Sequence, residues 1–321
     1  MPKYSFIIPV YNRPEEIDEL LSSLREQTLR DFEAVVVEDG STKDCGWAVP
    51  KYENDFPLSY FFIDNSGPGS ARNYGAKNAR GSWFIFLDSD TILPAHYLQS
   101  VDDFLHDRVL DAFGGADRDR KDFLPIQKAI SYAMTSFLTT GGIRGSHSSL
   151  EKFKPRSFNM GIKRDVYEQL GGFRSMRYGE DIDFSLRIEE ADFNTAYIPE
   201  AYVYHKRRTS FISFFKQIRH SGEARILLTK LHKGSFKLVH LFPALFVFGL
   251  AASIFLSIVF PSLGWPLVYL YCLYFLSIGI HSSIKAKDVR VGLLSIIASF
   301  VQLFAYGFGF FKAATLSLIK G

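Results

Sequence analysis

Three apolar runs follow one another near the end of the chain, at residues 238–260, 265–284 and 291–311. Each is about 20 residues, the length at which a helix crosses the hydrocarbon of a bilayer. The alternative is a set of buried core helices, but three uncharged runs in succession are rare in soluble folds. The spacing therefore predicts three transmembrane helices over residues 238–321. Before Leu238 charges are spread throughout, so an average hydropathy near zero blends two unlike materials.

Basic residues orient the spans. Lys230, His232, Lys233 and Lys237 precede the first run, and Lys285, Lys287 and Arg290 lie between the second and third. The link 261–264 carries no charge. Lysine and arginine favour the cytoplasmic side, so the link and the C-terminus are expected outside. Lys312 and Lys320 at the far end run against this, leaving a re-entrant third segment as an alternative. Met1, Pro2 and Lys3 lead directly into a short apolar strand, which does not read as an export signal. The expected location is the inner (cytoplasmic) membrane, multi-pass, with the N-terminal part facing the cytoplasm. Residues 211–220 and 225–231 mix aromatic and aliphatic side chains with Lys and Arg. Segments of this kind lie in the headgroup plane, and a solvated packing helix is the other reading. The expected organisation is 1–210 as an α/β domain, 211–237 as interfacial helices and 238–321 as spans. A net charge of +3 gives no argument for nucleic acid. Cys45 and Cys272 lie in unlike contexts, so no structural disulfide is expected.

The first 210 residues alternate strand and helix. Residues 5–10 form a compact apolar run suited to a buried parallel strand. After a turn at Tyr11, Asn12 and Arg13, Pro14 with Glu15 and Glu16 opens a helix, because proline suits the first turn and acids complement its dipole. Ile17, Leu20, Leu21 and Leu24 then recur at helical spacing. Further strands are predicted at 32–37, 58–63 and 82–87, with a helix over 67–79. Acids stand at strand C-terminal ends. This pattern predicts an α/β fold with a doubly wound, mostly parallel sheet. Ligands in such sheets sit beyond the strand ends, where Tyr11, Asp39, Asp88 and Asp90 should converge.

Asp88-Ser89-Asp90 offers two hard carboxylate ligands to Mg²⁺ or Mn²⁺; a turn or helix cap explains the same residues. Asp39, beside Gly40, is placed to accept from a base N–H or a ribose hydroxyl, or to cap the helix after it. Gly67-Pro68-Gly69 supplies small residues ahead of the cation Arg72, as a ligand-approached turn or a plain one. Glu180 and Asp181 stand at a helix N-terminus, where Asp181 is placed to act as a general base and Glu180 to orient it or the acceptor. Asp183 suits the helix dipole. His205 ends a strand-like run, placed either to complete a metal shell or as a surface histidine. The segment 115–156, with Arg118, Arg120, Arg144 and His147, is expected to shape the acceptor side.

Taken in order, Ile7-Ile8-Pro9-Val10-Tyr11-Asn12-Arg13, Val37-Glu38-Asp39-Gly40-Ser41-Thr42, Gly67-Pro68-Gly69-Ser70-Ala71-Arg72-Asn73, Phe86-Leu87-Asp88-Ser89-Asp90, Asn159-Met160-Gly161-Ile162-Lys163-Arg164, Gly171-Gly172-Phe173 and Gly179-Glu180-Asp181-Ile182-Asp183-Phe184 resemble the inverting family 2 glycosyltransferases of GT-A fold, in a membrane-anchored bacterial form. The resemblance covers about the first 220 residues. It implies that Pro9, Tyr11, Arg13 and Asp39 line a nucleotide pocket, bordered by Gly67, Arg72 and Ser89. It further implies Asp90 as a direct metal ligand, Asp88 between metal and ribose, and His205 as a metal ligand. Asn159 and Gly161 would lie beside the donor sugar, and Asp181 would be the base. The implied partners are a UDP- or GDP-sugar donor, a glycan or lipid-linked acceptor and the membrane. Gln217-Ile218-Arg219-His220 departs from the Gln-x-x-Arg-Trp of processive members, having no tryptophan after the arginine, which argues against processive polymer synthesis.

Three rivals stand beside this reading. A polyprenyl-phosphate glycosyltransferase has an acceptor already ionised, so a Glu-Asp pair argues against it. A non-catalytic membrane scaffold is opposed by the full set of acids. A nucleotidyltransferase would want a basic glycine-rich loop after the first strand, and the sequence has none.

Overall fold

A computed structural model describes residues 1–120, 122–140 and 154–320. Arg144 and His147 lie outside the described residues. In chain order the elements are β1 (Tyr4–Val10), α1 (Pro14–Arg25), β2 (Phe32–Asp39), β3 (Leu58–Ile63), α2 (Pro68–Asn78), β4 (Trp83–Leu87), β5 (Thr91–Ile92), α3 (Tyr97–His106) and β6 (Ala112–Arg118). They continue with α4 (Pro125–Thr135), α5 (Phe137–Thr140), β7 (Asn159–Lys163), α6 (Arg164–Leu170), α7 (Glu180–Glu190), β8 (Thr195–His205), α8 (Phe211–Leu231), α9 (Phe242–Val259), α10 (Pro261–Ala286) and α11 (Val289–Lys320). Two compact units result: Met1–Arg118 with Leu150–Lys206, and Asp119–Ser149 with Arg207–Gly321.

The first unit holds a sheet of strand order β3-β2-β1-β4-β7-β6-β8-β5. Strands β3, β2, β1 and β4 are parallel, as their near-continuous apolar runs predict. Side chains alternate faces along each strand. Phe6, Ile8, Ala34, Val36, Ile85 and Leu87 therefore pack in one layer with Ile17, Leu20, Leu21 and Leu24 of α1 and Tyr97, Leu98 and Val101 of α3. Ile7, Val35, Val37, Phe84 and Phe86 pack in the opposite layer with Ala71 and Ala76 of α2 and Phe184 and Ile188 of α7. Helix α2 lies unusually close to the sheet: a Cβ on Gly75 would fall 2.6 Å from Ile7 Cγ2.

The other half of the sheet is mixed. Strand β7 is antiparallel to both β4 and β6, β8 is parallel to β6, and β5 is antiparallel to β8. A parallel return requires a crossover, usually a helix laid on the sheet. The β6–β7 connection is antiparallel and needs none, and its chain contributes α4 and α5 to the second unit.

In that second unit, Ala129, Ile130, Ala133 and Met134 of α4 pack with Phe214 and Ile218 of α8 and with Val291, Ala298 and Ala305 of α11. The apolar face of α4 is covered by those helices, so residues 119–140 group with the C-terminal helices rather than with the sheet. Residues 211–231, read from sequence as two segments, form a single helix. The Ser210 hydroxyl caps it by accepting from Ser213 N at 3.2 Å. Gly222 does not break the helix. It lets α8 and α11 cross closely, since a Cβ there would lie 2.3 Å from Tyr306 O, and one on Gly309 would lie 2.1 Å from Arg219 O. Among the described residues three stretches are long and apolar enough to cross a membrane: Leu238–Val259, Pro261–Ala286 and Val289–Ile319, of 22, 26 and 31 residues. They match the three runs foreseen in the sequence, and suggest membrane association. Both cysteines are free thiols.

Candidate active site

The turn after β1 and the turn after β2 are pinned to each other. Asn12 adopts a left-handed backbone at φ 52°, which asparagine tolerates better than most residues. Its Oδ1 accepts from Thr42 N at 2.8 Å and Lys43 N at 3.0 Å, while its own N–H donates to Ser41 Oγ at 2.7 Å. Next to it Tyr11 is half exposed. Asp39, buried at the end of β2, accepts from Ser66 N at 2.7 Å and Gly67 N at 3.0 Å. Both of its carboxylate oxygens thus hold the turn that leads into α2. Gly67, at φ 91°, occupies a backbone region that favours glycine.

Strand pairing builds the acid cluster. After β4, Thr91 bonds back to Asp88 O through both N–H (3.1 Å) and hydroxyl (2.8 Å). Thr91 then pairs with His205 across β5 and β8, and Lys206 N donates to Asp90 O at 2.9 Å. His205 Nε2 consequently stands 3.2 Å from Asp90 Oδ1. Asp90 is also paired with Arg13. Burial works against the Arg13 charge, but Asp90, with Glu16 and Asp88, outweighs it and raises its pKa. One ligand atom each from Asp88, Asp90 and His205 fall within 4.8 Å of one another. Two carboxylate oxygens and an imidazole nitrogen suit a small divalent cation such as Mg²⁺ or Mn²⁺. These residues fit a metal.

Arg72 joins that cluster to the start of α7. Its side chain is only 3% exposed, yet one arm donates to Asp88 Oδ1 at 2.7 Å and the other to Glu180 Oε1 at 2.9 Å. Burial disfavours its charge, and Asp88, Glu180 and Asp181 together overcome this and raise its pKa. Its Nε is buried with no hydrogen-bond partner among the described residues. Burial raises the Glu180 carboxyl above its ordinary value, with Arg72 opposing and Asp181 adding to the rise. Gly69 makes room for Glu180: a Cβ there would meet Glu180 Cγ at 3.3 Å and Arg174 O at 3.0 Å. Asp181, a quarter exposed, accepts from Arg156 at 3.2 Å. Asp183 is fully buried between Arg174 and Arg187, a structural role.

Two residues expected beside a donor sugar lie inside the sheet. Asn159 has no exposure; it accepts from Tyr97 OH at 2.6 Å and donates to Ala201 O at 2.8 Å. Its amide ties β7 to α3 and β8. Gly161 faces Phe113, whose ring a Cβ would meet at 2.0 Å. Both are explained by packing. Within 115–156, the Arg118 guanidinium lies over the Tyr202 ring and Arg120 pairs with Asp122. The sequence marked Arg13 and Arg72 as nucleotide-pocket residues but not as partners of the acids, and gave Arg156 and Asp117 no role of their own. Asp117 is the last but one residue of β6, two positions after Gly115, and a carboxylate near a strand end was the available signal.

Residues 5–171 match the profile of Glycosyl transferase family 2, and residues 155–280 that of Glycosyl transferase family group 2. The uncharacterized glycosyltransferase EpsJ of Bacillus subtilis is 28% identical over 206 residues, 63% of this chain and 57% of EpsJ. The poly(ribitol-phosphate) beta-N-acetylglucosaminyltransferase TarS of Staphylococcus aureus is 37% identical over 115 residues, 35% of this chain and 20% of TarS. The matched stretch is thus under two thirds of either relative. Among solved structures, the mannosyltransferase PcManGT of Pyrobaculum calidifontis, in complex with GDP-Man and Mn²⁺, superposes with a TM-score of 0.63 at 20% identity, covering 94% of this chain and 86% of PcManGT. TarS 1–349 with UDP-GlcNAc gives a TM-score of 0.50 at 20% identity, over 97% and 92% of the two chains. At such identities the likeness is one of fold, and it agrees with the GT-A arrangement of the sheet. With residues 5–171 of its 321 inside the family profile, the chain belongs to glycosyl transferase family 2.

Proposed function

We propose that this protein is an inverting, metal-dependent glycosyltransferase that moves a sugar from a UDP- or GDP-sugar to a hydroxyl of a lipid-linked or cell-envelope glycan. The observation that carries the reading is one chain of contacts: Asp90 and His205 beside Asp88, Asp88 bridged by Arg72 to Glu180, and Asp181 next along α7. Asp88, Asp90 and His205 would hold the cation, which would balance the charge of a departing diphosphate. Tyr11, half exposed, is placed to stack on the base, with Pro9, Arg13, Asp39, Gly67 and Ser89 around the nucleotide. The unpartnered Arg72 Nε supports a ligand oxygen near that guanidinium. Asp181 takes the proton from the attacking hydroxyl, and Arg156 holds one of its oxygens in place. Alignment of acceptor and donor in one orientation supplies much of the rate.

Two structural neighbours support a nucleotide-sugar donor: one was solved with GDP-Man and another with UDP-GlcNAc. The three apolar helices support a multi-pass anchor in the cytoplasmic membrane, and Lys285, Lys287 and Arg290 support a cytoplasmic catalytic unit. The test is sugar transfer by the purified full chain. UDP- and GDP-sugars would be offered with Mn²⁺ or Mg²⁺ to a lipid-linked glycan and, separately, to polyprenyl phosphate. Transfer to the glycan hydroxyl that is lost in Asp181→Asn supports the reading. Transfer to polyprenyl phosphate alone would replace it with the polyprenyl-phosphate reaction.

A further inference from the structure

His205 is held from three directions. Its ring lies against that of Phe158, centroids 5.2 Å apart and tilted by 33°. Nε2 faces Asp90 Oδ1 at 3.2 Å, and Nδ1 faces Asp117 Oδ2 at 3.9 Å. The side chains of His205 and Asp117 are each 14% exposed, so the two interact largely away from bulk water. The approach of Asp117 is a product of an irregularity in the sheet. Strands β6 and β8 run in register from Ala112↔Thr195 to Gly115↔Ile198, then shift, so that Asp117 is opposite Val203 and Arg118 opposite Tyr204. Bulges of this kind re-aim a side chain. Without the shift, Asp117 would stand opposite Glu200, well short of the end of β8 that carries His205.

We propose that Asp117 is a positioning residue for His205. The 3.9 Å separation is longer than a hydrogen bond; a small turn of the ring on cation binding would bring Nδ1–H onto the carboxylate, orient the imidazole and keep its proton on Nδ1, leaving the Nε2 lone pair turned to the divalent cation shared with Asp88 and Asp90. An imidazole that donates one N–H to a carboxylate is fixed in tautomer and rotation and is a better ligand through its other nitrogen; losing such a partner typically weakens metal affinity roughly 10–100-fold. The inference rests on Asp88, Asp90 and His205 forming a cation site, and it adds a residue that does not itself touch the cation.

The test is Mn²⁺ binding by the full chain in detergent with GDP or UDP present, followed by electron paramagnetic resonance. His205→Ala should weaken Mn²⁺ binding and abolish the nitrogen hyperfine coupling of the bound ion. Asp117→Asn should weaken Mn²⁺ binding roughly 10–100-fold and reduce that coupling, while metal-free nucleotide affinity and melting temperature stay at the wild-type values. Where Asp117→Asn does not fold, Asp117→Ser is read in its place. Wild-type Mn²⁺ affinity and coupling in the Asp117 variant overturn the positioning role while leaving the cation site intact. Wild-type protein that binds no Mn²⁺, or binds it equally after His205→Ala, overturns the cation site, and the role of Asp117 with it.

Discussion

Replacing Arg72 with methionine tests the central bridge of the site. The substitution keeps the length of the side chain and removes one buried charge. Asp88 is a third exposed and can recover its hydration, but Glu180 is only 9% exposed and cannot. Removing one partner of a buried ion pair costs about 3–5 kcal/mol, chiefly because the other charge is left uncompensated. For a unit of this size that corresponds to a fall of about 6–20 °C in melting temperature. The loss should depend on pH. Folding already raises the Glu180 carboxyl above its ordinary 4.5. A raised pKa means that Glu180 contributes stability fully below 4.5 and loses it as pH rises through the folded value. Without Arg72 that value moves further up, so the deficit of Arg72→Met widens toward pH 8 and narrows toward pH 5. Glu180→Gln added to Arg72→Met removes the stranded carboxylate and should recover at least half of the loss at pH 8. Apparent melting temperatures of the four proteins in detergent, at pH 5 and pH 8, complete the cycle. Equal losses at both pH values, or no recovery in the double variant, would refute the idea that Arg72 is there to compensate Glu180.

Asp181→Asn should lower turnover by about 10²–10⁴-fold while leaving donor affinity near wild type, as read by transfer assay and calorimetry; unchanged turnover removes Asp181 as the base. Asn159→Ala strands Tyr97 OH and Ala201 O inside the sheet, at about 1–3 kcal/mol for each unsatisfied group. It should lower melting temperature with little change in donor KM, whereas a KM effect without loss of stability would mark Asn159 as a sugar contact. Gly222→Leu puts a side chain where a Cβ alone would lie 2.3 Å from Tyr306 O. The α8–α11 crossing should open and the detergent-extracted protein should lose its monodisperse peak in size exclusion; a wild-type elution and melting curve would contradict that packing.

Local patterns revealed half of this architecture. Helix α1 was legible in full, because Pro14, the acids after it and the spacing of Ile17, Leu20, Leu21 and Leu24 all carry the same message. Strands β1, β2 and β4 were legible because central parallel strands are apolar on both faces, while β3, at the sheet edge, gave a weaker run; all four end within two residues of the positions read from sequence. Strand β7 was not. Its five residues include Gly161 and Asn159, and its direction is decided by β4 and β6 on either side. The two segments read in 211–231 form one helix for a related reason: Gly222 between them is required by a partner helix remote in sequence, a contact that no local pattern shows. Asn159 and Gly161 show the converse. The segment was recognised by its likeness to a family pattern, but likeness does not reveal whether a side chain serves a ligand or the sheet, and here both are consumed by packing.

The acids of the site could be read from sequence as pairs, and Arg13 and Arg72 as residues of the nucleotide pocket, but not which acid each arginine meets, and electrostatics explains why that pairing matters. Asp88 and Asp90 stand one residue apart at one strand end, and Glu180 and Asp181 are adjacent at one helix start, so each pair announces itself in a few residues. Four carboxylates drawn into one region repel one another, and that repulsion opposes the convergence of the segments carrying them. The fold answers with three guanidiniums interleaved among them: Arg13 on Asp90, Arg72 between Asp88 and Glu180, and Arg156 on Asp181. These come from the turn before α1, from α2 and from the chain leading into β7, separated from their acids by between 16 and 108 residues. No short motif records such a pairing. Arg13 and Arg72 read as nucleotide-side residues, and Arg156 without a role of its own, until the sheet closes; only then do the guanidiniums offset the acids while Asp88, Asp90 and His205 stay within reach of one cation.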